Sequence, residues 1–341
     1  MKYFPYKTPG LFGGLGLVGA ISTTAIWLAG TPYFQSLRLS PLILGILIGA
    51  VVGNTIRDQI PRHWNTGIIY SAKMILKLAI ILYGFRITFA QIAGVGLDGF
   101  LVDLIMLSTT LMIGSFVGIK LLGMDKETAI MVSAGASICG AAAVIATEPL
   151  VKAEAHKTAV AVGTVVLFGT LSMFAYPMVY RTGWIPMDET TFGVYIGATV
   201  HGVAHVVGAG EAVGEMAAQT SIIVKMTRVM LLAPTLIVIG SVLNRGKARA
   251  DGTKTPLVIP WFALGFVAVA AFNSLGLLAD NVVAQINVFD TLLLTMGMTA
   301  LGIETNVSKV KVVGLTPIYL AAGLFLWLVV GGYFFTTLLA G

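Results

Sequence analysis

The sequence predicts an all-α polytopic membrane protein of about 9–11 membrane segments, built as inverted repeats around two broken or re-entrant helices. Three observations carry that expectation. The chain is 57% hydrophobic and only 11% charged over 341 residues, where a soluble domain carries roughly a quarter charged residues. Its mean hydropathy of +0.92 is more than a water-soluble core can hide, so lipid is the solvent for most of the chain. Apolar stretches of spanning length recur from end to end, and two sets of them repeat one another.

Taken in order, the segments are A (11–30), B (41–56), C (69–93), D (98–122), E (126–149), F (157–180), G (189–212), H (219–243), I (257–277), J (286–305) and K (313–339). Each is near the length that crosses ~30 Å as a helix. Segment A follows Lys2 and Lys7 but lacks a small-residue cleavage site, which makes it an uncleaved first span. Lys73 and Lys77 open C one turn apart and read as snorkelling to an interface. The longest polar gap, Asn244 to Pro256, is too short for a soluble domain. The whole chain, 1–341, therefore reads as one transmembrane domain, with a first repeat at about 41–181 and a second at about 188–341.

Two sequence repeats support this. Gly135-Ala136-Ser137-Ile138-Cys139-Gly140 in E matches Gly197-Ala198-Thr199-Val200-His201-Gly202 in G. Segments B–C–D match I–J–K: Pro41 to Asn54 parallels Pro260 to Asn273, Gly84-Phe85-Arg86-Ile87 parallels Gly302-Ile303-Glu304-Thr305, and Val95-Gly96-Leu97 parallels Val313-Gly314-Leu315.

The net charge of +6 comes without an aromatic-plus-basic patch, so it reads as loop charge that orients the chain in a bilayer rather than as nucleic-acid binding. With the basic link Arg245, Lys247, Arg249 and Lys254 inside, and E and G re-entrant, the loop cations divide fourteen inside to three outside. If E and G both crossed, the division would be thirteen to four, with Arg38, Arg86, Lys152 and Lys157 outside. Only the re-entrant form makes every repeat inverted. Either arrangement puts the amino terminus inside and the carboxyl terminus outside, with the chain in the cytoplasmic (inner) membrane.

Irregular backbone at membrane depth survives only against protein or a water-filled cavity. Glycines 135, 140, 197 and 202 permit such breaks, and Ser137 and Thr199 are placed to cap new helix starts. A helix start offers free N–H groups and the positive end of the dipole, which suits an anion. The expected substrate site is therefore Ser137, Ile138, Cys139, Gly140, Thr199, Val200, His201, Gly202 and His205, joined by Lys225 and Arg228 of segment H on one helical face. The competing reading of that cation pair is a buried ion pair with Glu148, Glu211 or Glu304. Glu148, Glu304, Asn54 and Asn273 are expected to couple or gate, or to hydrogen-bond helices together; Lys152 and Glu154 read as an interfacial salt-bridge cluster.

Cys139, the single cysteine, aligns with His201, and His205 lies one turn further on. Those three are the ligands of an alternative reading, a metal-cation transporter. A proton- or sodium-coupled carrier of an organic anion is another. No nucleotide-binding loop, serine elbow or zinc-protease helix is present, so an enzyme is not expected, nor a cofactor or resident metal. The expected partners are a small anion and the bilayer; a homodimer is common for carriers, with no residue arguing for it.

The run Gly135 to Glu154 resembles the YeiH-type family of bacterial inner-membrane proteins, as do Leu82 to Thr88, Thr199 to His205 and Lys225 to Pro234. The resemblance covers nearly the whole chain. That family is catalogued under sulfate export, which implies a secondary transporter of a sulfur oxyanion such as sulfate or sulfite. The chain departs from the family pattern at Gly202 and His205, where an acidic residue and a glutamine are usual. That departure weakens any proton-coupling role tied to the acidic position.

Overall fold

A computed structural model describes residues 8–36, 39–243, 260–305 and 314–341. The basic link, Arg38, Lys309, Lys311 and the first lysines lie outside the described residues. The described chain is helical throughout: α1 (Thr8–Ala29), α2 (Pro41–Thr55), α3 (Arg62–Arg86), α4 (Phe89–Phe116), α5 (Lys126–Ser137), α6 (Ala141–Val151), α7 (Ala155–Thr182), α8 (Glu189–Thr199), α9 (Val203–Val213), α10 (Glu215–Leu243), α11 (Trp261–Ser274), α12 (Asp280–Glu304) and α13 (Leu315–Leu339). Among the described residues, seven helices are long and apolar enough to cross a membrane, which makes this a multi-pass membrane protein. Over their described residues, all eleven apolar segments are mainly helical. B and I are shorter than expected, at 15 and 14 residues, or roughly 22 Å of helix.

The helices form two compact units. The first comprises the described parts of residues 1–91 and 262–308. Its core includes Val18, Ile68, Ala300 and Ile303. Its contacts follow the B–C to I–J repeat, in register at the asparagines and shifted by one residue at the glycines. Asn54 Nδ2 donates to the Thr305 carbonyl at 2.8 Å, and its counterpart Asn273 donates to the Ile87 carbonyl at 3.2 Å. Gly302 packs on the backbone of Ile46 and Ala50, while Gly84 packs on that of Phe266 and Ala270. Gly45 meets Thr299, and Gly265 meets Ile81. Each asparagine ties a short helix to the end of a long one, the helix-joining role expected of this pair. Two ion pairs complete this unit: Arg57 with Glu304 at 2.7 Å, and Arg86 with the fully buried Asp290 at 3.2 Å.

The second unit comprises the described parts of residues 92–261 and 309–341. Here α4 and α13 are the matched pair. Each has a glycine with positive φ, Gly96 (φ 60°) at a break inside α4 and Gly314 (φ 77°) just before α13, a conformation that costs residues with a Cβ roughly 1–2 kcal/mol. Gly114 of α4 packs on Ser133 of α5, and the matched Gly332 of α13 packs on Tyr195 of α8. Ser133 and Tyr195 themselves align in the E–G repeat.

Segments E and G are re-entrant hairpins. Gly193 of α8 meets Ala217 and Thr220, and Gly197 meets Ser221 and Val224, so α8 runs parallel to α10. Gly210 of α9 meets Ala218, next to the Val213–Glu215 turn, so α9 runs the other way. The base is closed by Glu189, whose carboxylate accepts from the Met216 amide at 2.7 Å. The first hairpin is built alike. Thr158 reaches Met131 and Gly135 reaches Val165, so α5 runs parallel to α7, and α6 turns directly into the start of α7. Lys157 closes that base on Asp125 (2.9 Å) and Glu127 (3.1 Å). Glu154 pairs instead with His156. Lys152 is an exposed left-handed cap of α6 rather than a member of a cluster with Glu154.

Candidate functional site

The two hairpin bases lie at opposite ends of α7. Lys157, near its start, holds the first, and Arg181, near its end, donates to the Ala212 carbonyl of the second. A helix of 28 residues spans about 42 Å, so the hairpins enter from opposite ends and their tips meet beside its middle. There a Cβ on Gly140 would come within 3.0 Å of Val165 and 3.3 Å of the Gly202 Cα and the His201 carbonyl. Gly140 also holds φ 80°. Backbone sign and crowding together exclude a side chain at that tip.

Ser137 and Thr199 are not the caps of new helices. They are the last residues of α5 and α8, and their hydroxyls donate backwards to the Ala134 and Tyr195 carbonyls. Near a helix end such a hydroxyl donates to the carbonyl one turn back, which at Ala134 also accepts from the Ile138 amide, rather than capping a more distant amide. The new helices α6 and α9 instead begin at Gly140 and Gly202, which lack side-chain caps. Their first-turn N–H groups have no side-chain acceptor, although the Ala143 amide donates to the Gly140 carbonyl at 3.0 Å.

Side chains of mixed character surround these starts. Ser137, Ile138, Cys139, Thr199, Val200, His201 and His205 are all buried. His205 sits in a cradle of two glycines: a Cβ on either Gly169 or Gly202 would lie 2.7 Å from its Nδ1. Its Nε2 meets the Thr170 hydroxyl at 3.4 Å. The Nδ1 atoms of His201 and His205 are buried without a hydrogen-bond partner. Lys225, 0% exposed, extends Nζ to the Ile138 carbonyl at the first tip, 3.3 Å away. Among the described residues no carboxylate lies within ion-pair distance of that ammonium.

Arg228 behaves differently. Its Nε lies 2.6 Å from Asp103 Oδ1, its Nη2 donates to the Asp103 carbonyl at 3.2 Å, and both side chains are 0% exposed. The expected partners of the cation pair were Glu148, Glu211 or Glu304, and the structure supplies none of them. Glu304 is taken by Arg57. Glu148 is half-buried in the last turn of α6, about 12 Å along the helix from Gly140. Asp103, in α4, escaped the sequence reading although one signal marked it: it is an ionisable residue inside an apolar span, the same rule that singled out Lys225 and Arg228. Gly169 and Thr170 carried no such signal.

The structure thus gathers Ser137, Ile138, Cys139, Gly140, Thr199, Val200, His201, Gly202, His205 and Lys225 around one point, with Arg228 held by Asp103 beside it. Asn54, Asn273 and Glu304 belong to the first unit, where they join helices. Cys139, His201 and His205 do not assemble into a metal-holding group; among the described residues no cluster of three such ligands exists.

Comparison with known proteins matches residues 13–321 to the family described as Conserved hypothetical protein 698. The chain is 47% identical over 319 residues to the UPF0324 inner membrane protein YeiH of Escherichia coli K12, covering 94% of this chain and 91% of that protein. It is 46% identical over 324 residues to a UPF0324 membrane protein of Bacteroides thetaiotaomicron, covering 94% and 96%. It is 44% identical over 333 residues to one of Bordetella pertussis, covering 96% of each. No solved structure matches. By sequence over nearly its full length, the chain belongs to the UPF0324 family of membrane proteins.

Proposed function

We propose that the protein is a secondary transporter, an exporter or exchanger, that moves a small inorganic anion by alternating access, without enzymatic activity of its own. One observation carries this reading. Two uncapped helix starts meet at the middle of a spanning helix, beside a buried ammonium that has a peptide carbonyl and no carboxylate for company. Helix starts and an ammonium both favour a negative ligand, and a buried cation without a counter-charge is costly. An anion at the tips removes that cost.

The hairpins supply the moving contact. Their tips touch through glycines rather than interlocking side chains, so they part without unpacking a core. The bases stay fixed by Lys157 and by Glu189. A sulfur oxyanion is the cargo that the family resemblance implies. The relative named an inner membrane protein supports placing this chain in the cytoplasmic membrane; the loop-charge bias of the sequence argues for the amino terminus inside.

Counterflow in proteoliposomes with labelled sulfate, sulfite and a panel of small anions tests the proposal. Flux is expected for at least one anion, and Lys225→Ala is expected to abolish it while the protein still elutes as a folded species. Unchanged flux in that variant refutes the role of the tips.

A further inference from the structure

The two buried cations of α10 are not equivalent, and the difference fixes the charge of the site. Arg228 is neutralised by Asp103 through a 2.6 Å contact. Among the described residues, Lys225 has the Ile138 carbonyl and no carboxylate within ion-pair distance. The charged or ionisable groups acting on Lys225 are Arg228, Asp103 and the Cys139 thiol; those acting on His201 are Lys225, His205 and Arg228. The charges at the hairpin bases stand away from the tips. Asp125, Glu127 and Lys157 close one base; Arg181, Asp188, Glu189 and Glu215 surround the other. Lys225 is thus the cation at the tips without a carboxylate within ion-pair distance among the described residues, whereas Arg228 has Asp103.

We propose that the tip site takes a singly charged small anion in preference to a doubly charged one, and that Asp103 sets this valence by cancelling Arg228. The proposal rests on the anion-site reading above and narrows its substrate class. The physical reason is charge closure in a medium of low dielectric. A monovalent anion against Lys225 leaves the buried site neutral. A divalent anion leaves one negative charge uncompensated, at a desolvation cost of several kcal/mol per ion. Such a site takes the hydrogen form of an oxyanion, hydrogensulfite for example, ahead of the fully ionised form. Asp103 acts through Arg228 and does not touch the anion, so it is a positioning residue whose effect is read as selectivity.

The test uses anions of one shape and two charges. Purified full-length protein in detergent is titrated with perchlorate, methanesulfonate and sulfate at constant ionic strength and about pH 8, above the ordinary imidazole range of about 6.5. Binding is read from thermal stabilisation or tryptophan fluorescence. The expected result is that both monovalent anions bind at least about tenfold tighter than sulfate, the ratio that ~1.4 kcal/mol of charge mismatch produces. In Asp103→Asn, which frees the charge of Arg228, sulfate is expected to gain at least about tenfold relative to perchlorate. If that variant fails to fold, Asp103→Asn combined with Arg228→Gln replaces it. This pair restores the single positive charge and is expected to keep the wild-type preference.

Sulfate binding as tightly as perchlorate to the wild type overturns the valence proposal and leaves the anion site standing. So does an unchanged ratio in folded Asp103→Asn, or a lost preference in the folded double variant. Failure of every anion to bind the wild type overturns the anion site itself.

Discussion

Replacing Arg228 by methionine removes the guanidinium but leaves Asp103 where it is, fully buried between α4 and α10. In the native structure that carboxylate has Arg228 Nε at 2.6 Å, and the same guanidinium also satisfies the Asp103 carbonyl at 3.2 Å. Both side chains are 0% exposed, so no water replaces what is lost. Two unit charges 2.6 Å apart attract by about 6 kcal/mol at an effective dielectric of 20. That gross attraction is largely offset by the desolvation already incurred. Breaking a buried pair from one side typically costs about 3–5 kcal/mol, because the survivor stays buried and uncompensated.

Removing both charges is different. Asp103→Leu with Arg228→Met deletes attraction and desolvation together and is expected to fall within about 1–2 kcal/mol of the wild type, or above it. The assay is unfolding of the purified protein in detergent, followed by helical circular dichroism for wild type, each single variant and the double variant. The coupling between the two sites is expected to exceed about 2 kcal/mol. Additive single effects would refute the claim that this pair is a closed charge unit, and with it the valence argument.

Four further outcomes follow from particular contacts. Gly169→Ala places a methyl group 2.7 Å from His205 Nδ1; it is expected to cost about 1–3 kcal/mol, and His205→Ala in the same chain is expected to recover most of that in the same unfolding assay. Asn54→Ala and Asn273→Ala each delete one matched helix tie and are each expected to cost about 1 kcal/mol. For Asp125, partial burial raises the carboxyl, but Lys157 and Thr128 outweigh it and hold the group below the usual carboxylate range. Its contribution is therefore present above the ordinary value of about 3.9 and lost as pH falls through the depressed one, so the stability advantage of wild type over Asp125→Asn is expected to stay level from neutral pH to about 5 and to shrink below about 4. Cysteines placed at Lys152 and at Trp184, near opposite ends of α7, are expected to react with impermeant thiol reagents from opposite faces of the membrane in a Cys139→Ser background; labelling from one face would contradict the hairpin geometry.

Much of this protein is legible in the order of its residues because the relevant physics is local. A run of apolar residues near spanning length states its solvent by itself, and the eleven segments are helical where they were expected. Helix breaks are also local events. Gly140 can hold φ 80° whatever its surroundings, so Gly-Ala-Ser-Ile-Cys-Gly and its counterpart mark the two tips. Matched asparagines and glycines revealed the repeat because each copy presents the same residue types to the other, Asn54 to the Thr305 carbonyl and Asn273 to the Ile87 carbonyl.

What sequence order left open depends on which distant atoms meet. Whether segment G crosses or returns is decided by Glu189 reaching the Met216 amide, a contact between residues that look alike in either topology. Ser137 and Thr199 suit a cap at either side of a break, and only the chain path shows that they finish a helix. The partner of Arg228 stands 125 positions earlier in the chain, and Asp103, Glu148, Glu211 and Glu304 are equivalent carboxylates until the packing of α4 against α10 selects one. That selection matters most for function. Sequence alone determined that this is a membrane protein with two buried cations at a broken-helix site. Tertiary structure decided that one of them is cancelled and the other is not, because in a medium without water a charge is defined by the group packed against it.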